Sequence, residues 1–488
     1  MRRFSGVAAG IFLCLAGCGH DDTYTDAAPG ADSARVDATT APDAVPTGAL
    51  TVTTHSRCCD DPPGTLVAGI PVFVLGPDGA LAAQGTTDAT GTVTFQDVVA
   101  GSAVTAIYPD NGNSTQLVTV LAVKPDDHLV FGDGYTAGRP GSAGTGNMTI
   151  TFPAAATATS FQISTECDGT YGYAAGTTSV SLSERAFCDT GVASLALRAY
   201  DSTGLFQTAL ARDVTFASGG SYDVPAWTPT TSLALSRTGV PAAVTEVDFT
   251  ARAVVANLYT PTNYDYQLPT GGTAMVTIPV SALGDRLYTS STMYRDGGLG
   301  PQESYRGQAV GAATSTWSGE LPWVGQMLFN AGAQIATWIQ TGDHAYDGAV
   351  GFTSWEHYTP GGDAGAGTYT YFDWTILIPP GVTTWTWSAP PAELAPYLPQ
   401  VADYLYTPAV MLVDLLDTDG YDGLRQTPQW QYDCPGCAIE RGELTDASVA
   451  FSADGGEGLL LAPPAHRPPW YRGGDRPTLG RRAAPPQP

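Results

Sequence analysis

Apolar and polar residues alternate through most of this chain in short runs cut by turns. Between residues 49 and 133, Val72 and Val74 share a face, and Val93 with Phe95 share a face in a later run. Pro77-Asp78-Gly79 and the stretch 88–91 punctuate these runs as turns. A period of two bounded by Gly, Pro and Asp predicts strands joined by tight turns. The cleanest case is YTYFDWTILIP, which puts Phe372, Trp374, Ile376 and Ile378 on one side. From 390 to 416 an apolar, helix-like pattern is interrupted by Pro390, Pro391, Pro396, Pro399 and Pro408, so one or two short helical turns are the most expected there. Two stretches lack the large apolar residues a core needs. Residues 18–48 predict a flexible tether, and 462–488 a disordered Arg- and Pro-rich tail.

An internal repeat follows the Gly-rich joint at 138–146. Gly176, Gly272 and Gly381 each precede apolar residues at +4 and +6: Val180 with Leu182, Val276 with Ile278, Trp385 with Trp387. Trp227, Trp323 and Trp430 then fall at +51, +51 and +49. Two landmarks that keep their separation three times predict tandem β modules, at 146–240, 241–335 and 336–461. Each is about the size of an immunoglobulin-like sandwich, roughly 100 residues. The fold class expected is therefore all-β, a string of sandwiches.

Composition narrows the function. Only 14% of the 488 residues are charged, yet the net charge is −26. Setting aside Arg2, Arg3 and the last 22 residues leaves 14 basic and 46 acidic residues, or −32. Such a body repels phosphate backbones and anionic lipid, which excludes nucleic acid as a partner. Solubility, divalent cations or basic partners suit it better. Of eight cysteines, six remain for the exported body if Cys14 leaves with a leader and Cys18 is modified. An even number outside the cytoplasm favours disulfides, Cys167 with Cys188 first and Cys434 with Cys437 next. Cys58 and Cys59 either bridge each other or reach elsewhere.

The first 17 residues have a positive start at Arg2 and Arg3, an apolar run too short to span a bilayer, and small residues before Cys18. Leu15-Ala16-Gly17-Cys18 resembles the lipobox of bacterial lipoproteins, which implies cleavage before Cys18, acylation of that cysteine and a membrane anchor. Gly19 is not the aspartate that such proteins use for inner-membrane retention in enteric bacteria, which points to the outer membrane. Residues 49–137 resemble the carboxypeptidase regulatory-like, transthyretin-like domain. The matching residues are Gly69 to Val74, Asp78-Gly79, Thr87 to Phe95 and Gly101 to Val104. That resemblance implies a sandwich acting as spacer or stalk, without catalysis or cofactor.

Seven of the ten Trp lie between Trp317 and Trp387. Trp227, Trp323, Trp430, Trp385 and Trp387 hold repeat-equivalent positions that predict core, and alternation places Trp374 inside too. Trp317, Trp338 and Trp355 are left, with Trp338 and Trp355 as the candidates for a sugar-stacking face. In the acidic loop of Asp417, Asp419 and Asp422, alignment on Gly420 puts Asp417 and Asp419 at positions three and five of a calcium loop, although Leu415 and Gln426 stand where its end ligands belong. His344, Asp347, Glu356 and His357 supply donors for zinc, without the HExxH spacing of a metalloprotease. No GxSxG motif occurs. Cys434-Pro-Gly-Cys437 reads as a local disulfide ahead of a redox or zinc site, because the α/β setting of a thioredoxin-like motif is missing. The expected function is a non-enzymatic, membrane-anchored envelope lipoprotein of spacer, display or adhesion type, with a protein or polysaccharide partner. A glycan-binding module is the alternative, and a metal-dependent hydrolase the less favoured one.

Overall fold

Strand-forming alternation and Gly-rich turns build the same seven-strand unit three times and a variant of it once. A computed structural model of the protein describes residues 45–56, 65–109, 114–132, 142–155, 157–167, 169–255, 263–359, 367–386 and 391–453. The leader, Cys18, Cys58, Cys59, Trp387 and the tail lie outside the described residues.

The first sandwich comprises β1 (Thr47–Thr54), β2 (Pro71–Leu75), β3 (Leu81–Thr86), β4 (Thr92–Val99), β5 (Ser102–Tyr108), β6 (Ser114–Val123) and β7 (His128–Phe131). Its small sheet is ordered β4-β1-β7, with β7 parallel to β1, and its large sheet β3-β2-β5-β6. The second comprises β8 (Asn147–Thr151), β9 (Ser160–Thr165), β10 (Gly169–Ala174), β11 (Ser179–Ser183), β12 (Val192–Asp201), β13 (Gly204–Thr215) and β14 (Ser221–Asp223). It repeats that order strand for strand, and β15 (Thr228–Pro229) adds a two-residue edge to β13. The third has β16 (Thr231–Thr238), β17 (Val244–Val254), β18 (Asn263–Gln267), β19 (Thr273–Val280), β20 (Arg286–Arg295), β21 (Gln302–Gln308) and β22 (Thr314–Trp317), again in the same order.

The fourth departs from the pattern at two places. After β23 (Trp323–Asn330) come β24 (Ile335–Thr341), β25 (Gly348–Thr359), β26 (Thr368–Ile378), β27 (Thr384–Thr386), β28 (Tyr404–Leu405), β29 (Ala409–Leu415) and β30 (Asp446–Phe451). The large sheet β26-β25-β29-β30 matches the others, but the small sheet is β23-β24-β27, with β23 antiparallel where the others have a parallel last strand. Between β29 and β30 the chain inserts α1 (Gly420–Leu424), α2 (Gln429–Asp433) and α3 (Pro435–Arg441).

Two sequence expectations change here. The repeat glycines hold equivalent places, since Gly176, Gly272 and Gly381 all have φ of 75 or 76° just before β11, β19 and β27. Trp430 does not, because the inserted helices carry it, whereas Trp227 and Trp323 follow the last strands of their sandwiches. The boundaries expected at 240/241 and 335/336 also fall inside the third and fourth sandwiches, because β16 pairs with β19 and β22, and β23 pairs with β24.

The sandwiches do not sit as separate beads. β21 pairs antiparallel with β30, and β26 pairs parallel with β6. Three large sheets thereby join edge to edge in the order β18-β17-β20-β21-β30-β29-β25-β26-β6-β5-β2-β3. Such joining removes edges that would otherwise expose unpaired backbone groups. One core gathers Val72, Val104 and Val118 of the first sandwich with Tyr288 and Tyr305 of the third and Met411, Tyr432 and Ile439 of the fourth. On the opposite side of the sheet, Phe73, Leu75, Ile107 and Leu117 join Trp338, Trp355, Trp374 and Leu398 in a second core. The second sandwich keeps a core of its own, from Met148 to Val224.

Candidate functional site

The inserted helices lie where three sandwiches meet. Arg425 is buried, and its Nε donates to Asp127 Oδ2 at 2.5 Å while one terminal nitrogen donates to Asp127 Oδ1 at 3.1 Å. A forked guanidinium matches both carboxylate oxygens, and with neither group open to water the pair is sound only because the geometry is bidentate. Asp422 binds Lys124 Nζ at 2.8 Å and also pairs with Arg425. Those two cations, Lys124 foremost, hold the Asp422 carboxyl below its usual range. Tyr421 donates to the carbonyls of Leu121 in β6 and Leu377 in β26, at 2.7 and 3.2 Å. Gln429 accepts from the amide of Gly132 at 2.9 Å, and Trp430 meets His55 edge to face at 5.4 Å. Toward the third sandwich, Glu440 pairs with Arg252, and Arg306 bonds Asp446 at 2.6 Å.

This arrangement corrects the calcium reading of Asp417, Asp419 and Asp422. Asp417 accepts from the Thr445 amide and hydroxyl at 2.8 and 2.9 Å, Asp419 caps α1 by position without a side-chain bond, and Asp422 faces two cations. The zinc candidates separate too. His344 contacts Glu320 at 3.1 Å, Asp347 accepts from the Leu415 amide and the Thr418 hydroxyl, and His357 meets Asp403 at 2.7 Å. Among the described residues no group of three or more His, Cys, Asp or Glu is placed to hold a metal ion. Cys167 is joined to Cys188, and Cys434 to Cys437, with Cα separations of 5.1 and 5.2 Å. The second bond ties the end of α2 to the first turn of α3.

Trp338 and Trp355 are corrected as well: they are 5% and 1% exposed and form core. Trp355 stacks on Phe372 at 5.3 Å, on the side of the sheet that also buries Trp374. The opposite side of the same strands carries what those tryptophans were expected to carry. In register, Glu356 lies across from Tyr371 and from Tyr404, Tyr358 from Tyr369, and Ser354 from Asp373. Tyr358, Tyr369, Tyr371, Tyr404 and Tyr406 are all exposed, from 38% to 66%. Tyr358 and Tyr369 have ring centres 4.9 Å apart, and Tyr404 and Tyr406 5.2 Å. Tyr406 donates to Glu356, and Ser354 to Asp373 at 2.7 Å. The Glu356 carboxylate raises the pKa of the Tyr371 phenol. The surface is thus five rings around two carboxylates on a three-strand ledge. The alternation of YTYFDW carried the signal, because whatever is left when Phe372 and Trp374 turn inward must turn outward.

No protein family and no curated protein matches the chain. Solved structures do. It is similar to the TIE protein of Bacillus anthracis, with 12% identity over 56% of this chain and 49% of that one, at a TM-score of 0.13. The pilus adhesin SpaC of Lactobacillus rhamnosus GG shows 10% identity over 68% and 44%, at 0.13. A putative cell adhesion protein of Bacteroides ovatus shows 9% over 61% and 97%, at 0.14. The chain spans about half the length of the first two, 49% and 44%.

Proposed function

We propose that this is an exported, non-enzymatic envelope protein of display or adhesion type, anchored through lipid on Cys18, in the outer membrane. The observation that carries this reading is the sheet running unbroken through three sandwiches. A shared sheet with ion pairs locking its joints makes a stiff body that holds a surface away from its anchor. The buried pair of Arg425 with Asp127 serves a joint between sandwiches. The leader supports export, and the lipobox-like residues support acylation. No described helix is long and apolar enough to cross a membrane. The glycan alternative loses Trp338 and Trp355 as its carriers, since both are core.

Metabolic labelling with a fatty acid, followed by membrane fractionation, tests the anchor. The full chain is expected to carry label and sediment with outer membrane, and Cys18→Ala to lose both while its body melts unchanged. Retention of the unlabelled variant in the membrane would overturn the anchor. Adhesion of whole cells with and without the protein tests the display role, and equal adhesion to every surface tried counts against it.

A further inference from the structure

The tyrosine ledge sits in a stretch of chain with no positive charge of its own. Between Arg306 and Arg425 the chain runs 118 residues without one Lys or Arg, while twelve Asp and Glu occur in that span. Phenol rings attract cations through their faces, and the Glu356 and Asp373 carboxylates between them attract cations directly. An arginine satisfies both at once, because its planar fork bonds a carboxylate and its face stacks on a ring. The surface is therefore complementary to an arginine-bearing segment and unfavourable to anionic ligands.

The same chain carries such a segment. Residues 467–488 contain five Arg and one Asp, the reverse of the body's balance. The described residues end at Ala453, beside the ledge. Ser452 donates its amide to the Val410 carbonyl at 2.8 Å, and its hydroxyl accepts from the Val410 amide at 3.2 Å. Val410 lies four residues beyond Tyr406, which is about 13 Å along a strand. β28, which carries Tyr404, continues the lane of β29 along β25, and β30 runs antiparallel to β29, so β30 ends on the ledge side of the sheet. The fourteen steps from Ala453 to Arg467 span up to about 45 Å, more than the ledge requires.

We propose that the face formed by Tyr358, Tyr369, Tyr371, Tyr404, Tyr406 and Glu356 is the docking site for the chain's own arginine-bearing segment, residues 467–482. The covalent link gives this occupant an effective concentration of about 1 mM, so the face is covered unless a stronger ligand displaces it. The segment thereby acts as a built-in competitor for any cationic partner.

The test uses the full chain and a full-length variant carrying Arg467→Gln, Arg472→Gln, Arg476→Gln, Arg481→Gln and Arg482→Gln. The probe is a fluorescent peptide of residues 463–488, followed by anisotropy. The Gln variant is expected to bind it at least tenfold more tightly than the wild-type chain, whose face is occupied. Adding Tyr404→Ala or Glu356→Gln to the Gln variant is expected to weaken binding at least tenfold, with the melt unchanged, and raised salt to weaken it further. Equal binding by the two full-length forms overturns the proposal, as does binding indifferent to both ledge substitutions. Capture of a neutral glycan at Tyr404 that the peptide does not compete for would give the face to sugar and overturn it too.

Discussion

The second sandwich and the other three share the strand order of their large sheets but differ in how the edges end. In the second, the outer edge of β13 pairs with the two-residue β15, and the core from Met148 to Val224 is closed within the module. In the others the equivalent edge strands, β6, β21 and β30, pair across modules. Topology alone therefore does not decide whether a sandwich stands alone. What decides is whether an edge finds a partner and whether something seals the joint. Here the seal is the α1–α3 insertion, whose Leu424, Tyr432, Ala438 and Ile439 sit in the core shared by three sandwiches.

Arg425→Ala is expected to break the comparison hardest. It leaves Asp127 buried and unpaired, which costs about 3–5 kcal/mol. The fused block should melt lower while the second sandwich keeps its transition. The mirror experiment is Leu197→Ala, a fully buried side chain of the second sandwich. A loss of about 2–5 kcal/mol is expected from cavity formation, and differential scanning calorimetry should find it confined to that module. Removing both Cys167 and Cys188, 21 residues apart, should cost the second sandwich about 2–4 kcal/mol. The bond between Cys434 and Cys437 closes a far shorter loop and should matter less to the fused block.

Acidity sharpens the same contrast. In the third sandwich, burial foremost and then Glu246 push Asp248 up to about 6, and burial raises Glu303. Asp414 in β29 is likewise pushed up to about 6 by burial and Asp347. A carboxyl raised on folding makes the native state bind more protons than the unfolded one, so its contribution falls as pH rises from about 4 to about 6. The fused block should melt higher at pH 5 than at pH 7, and Asp248→Asn should flatten that difference. Asp422 works in the opposite sense at lower pH, because its lowered carboxyl loses stability as acid protonates it. The smallest effect belongs to Arg212→Ala. It breaks an exposed pair with Asp285 between the second and third sandwiches, worth about 0–1 kcal/mol.

Alternation made the strands legible, and the landmark glycines made three of the modules so. The first sandwich escaped the repeat because Gly91 stands two residues nearer its apolar pair, with Val93 and Phe95 at +2 and +4. The joining of sheets had a faint trace in Pro71–Leu75, whose residues are apolar on both faces as in a strand covered on both sides. Pairing between edges leaves no mark of its own, since a backbone ladder is the same within a module or between two. The insertion hid because helices of five to seven residues around Pro428, Pro435 and Gly436 are too short to show a helical period. The ledge was missed for a different reason. Trp is the residue expected to face a sugar, but in this alternation the larger and less polar rings go inward and the phenols remain outside.

The central claim is that the insertion makes three sandwiches into one cooperative body and leaves the second independent. Amide hydrogen exchange on the full chain and on Arg425→Ala tests it most directly. The account predicts that β6, β21, β26 and β30 lose protection together in the variant, while β8, β9 and β12 exchange as before. Loss confined to α1–α3, or loss spread equally into the second sandwich, would contradict it.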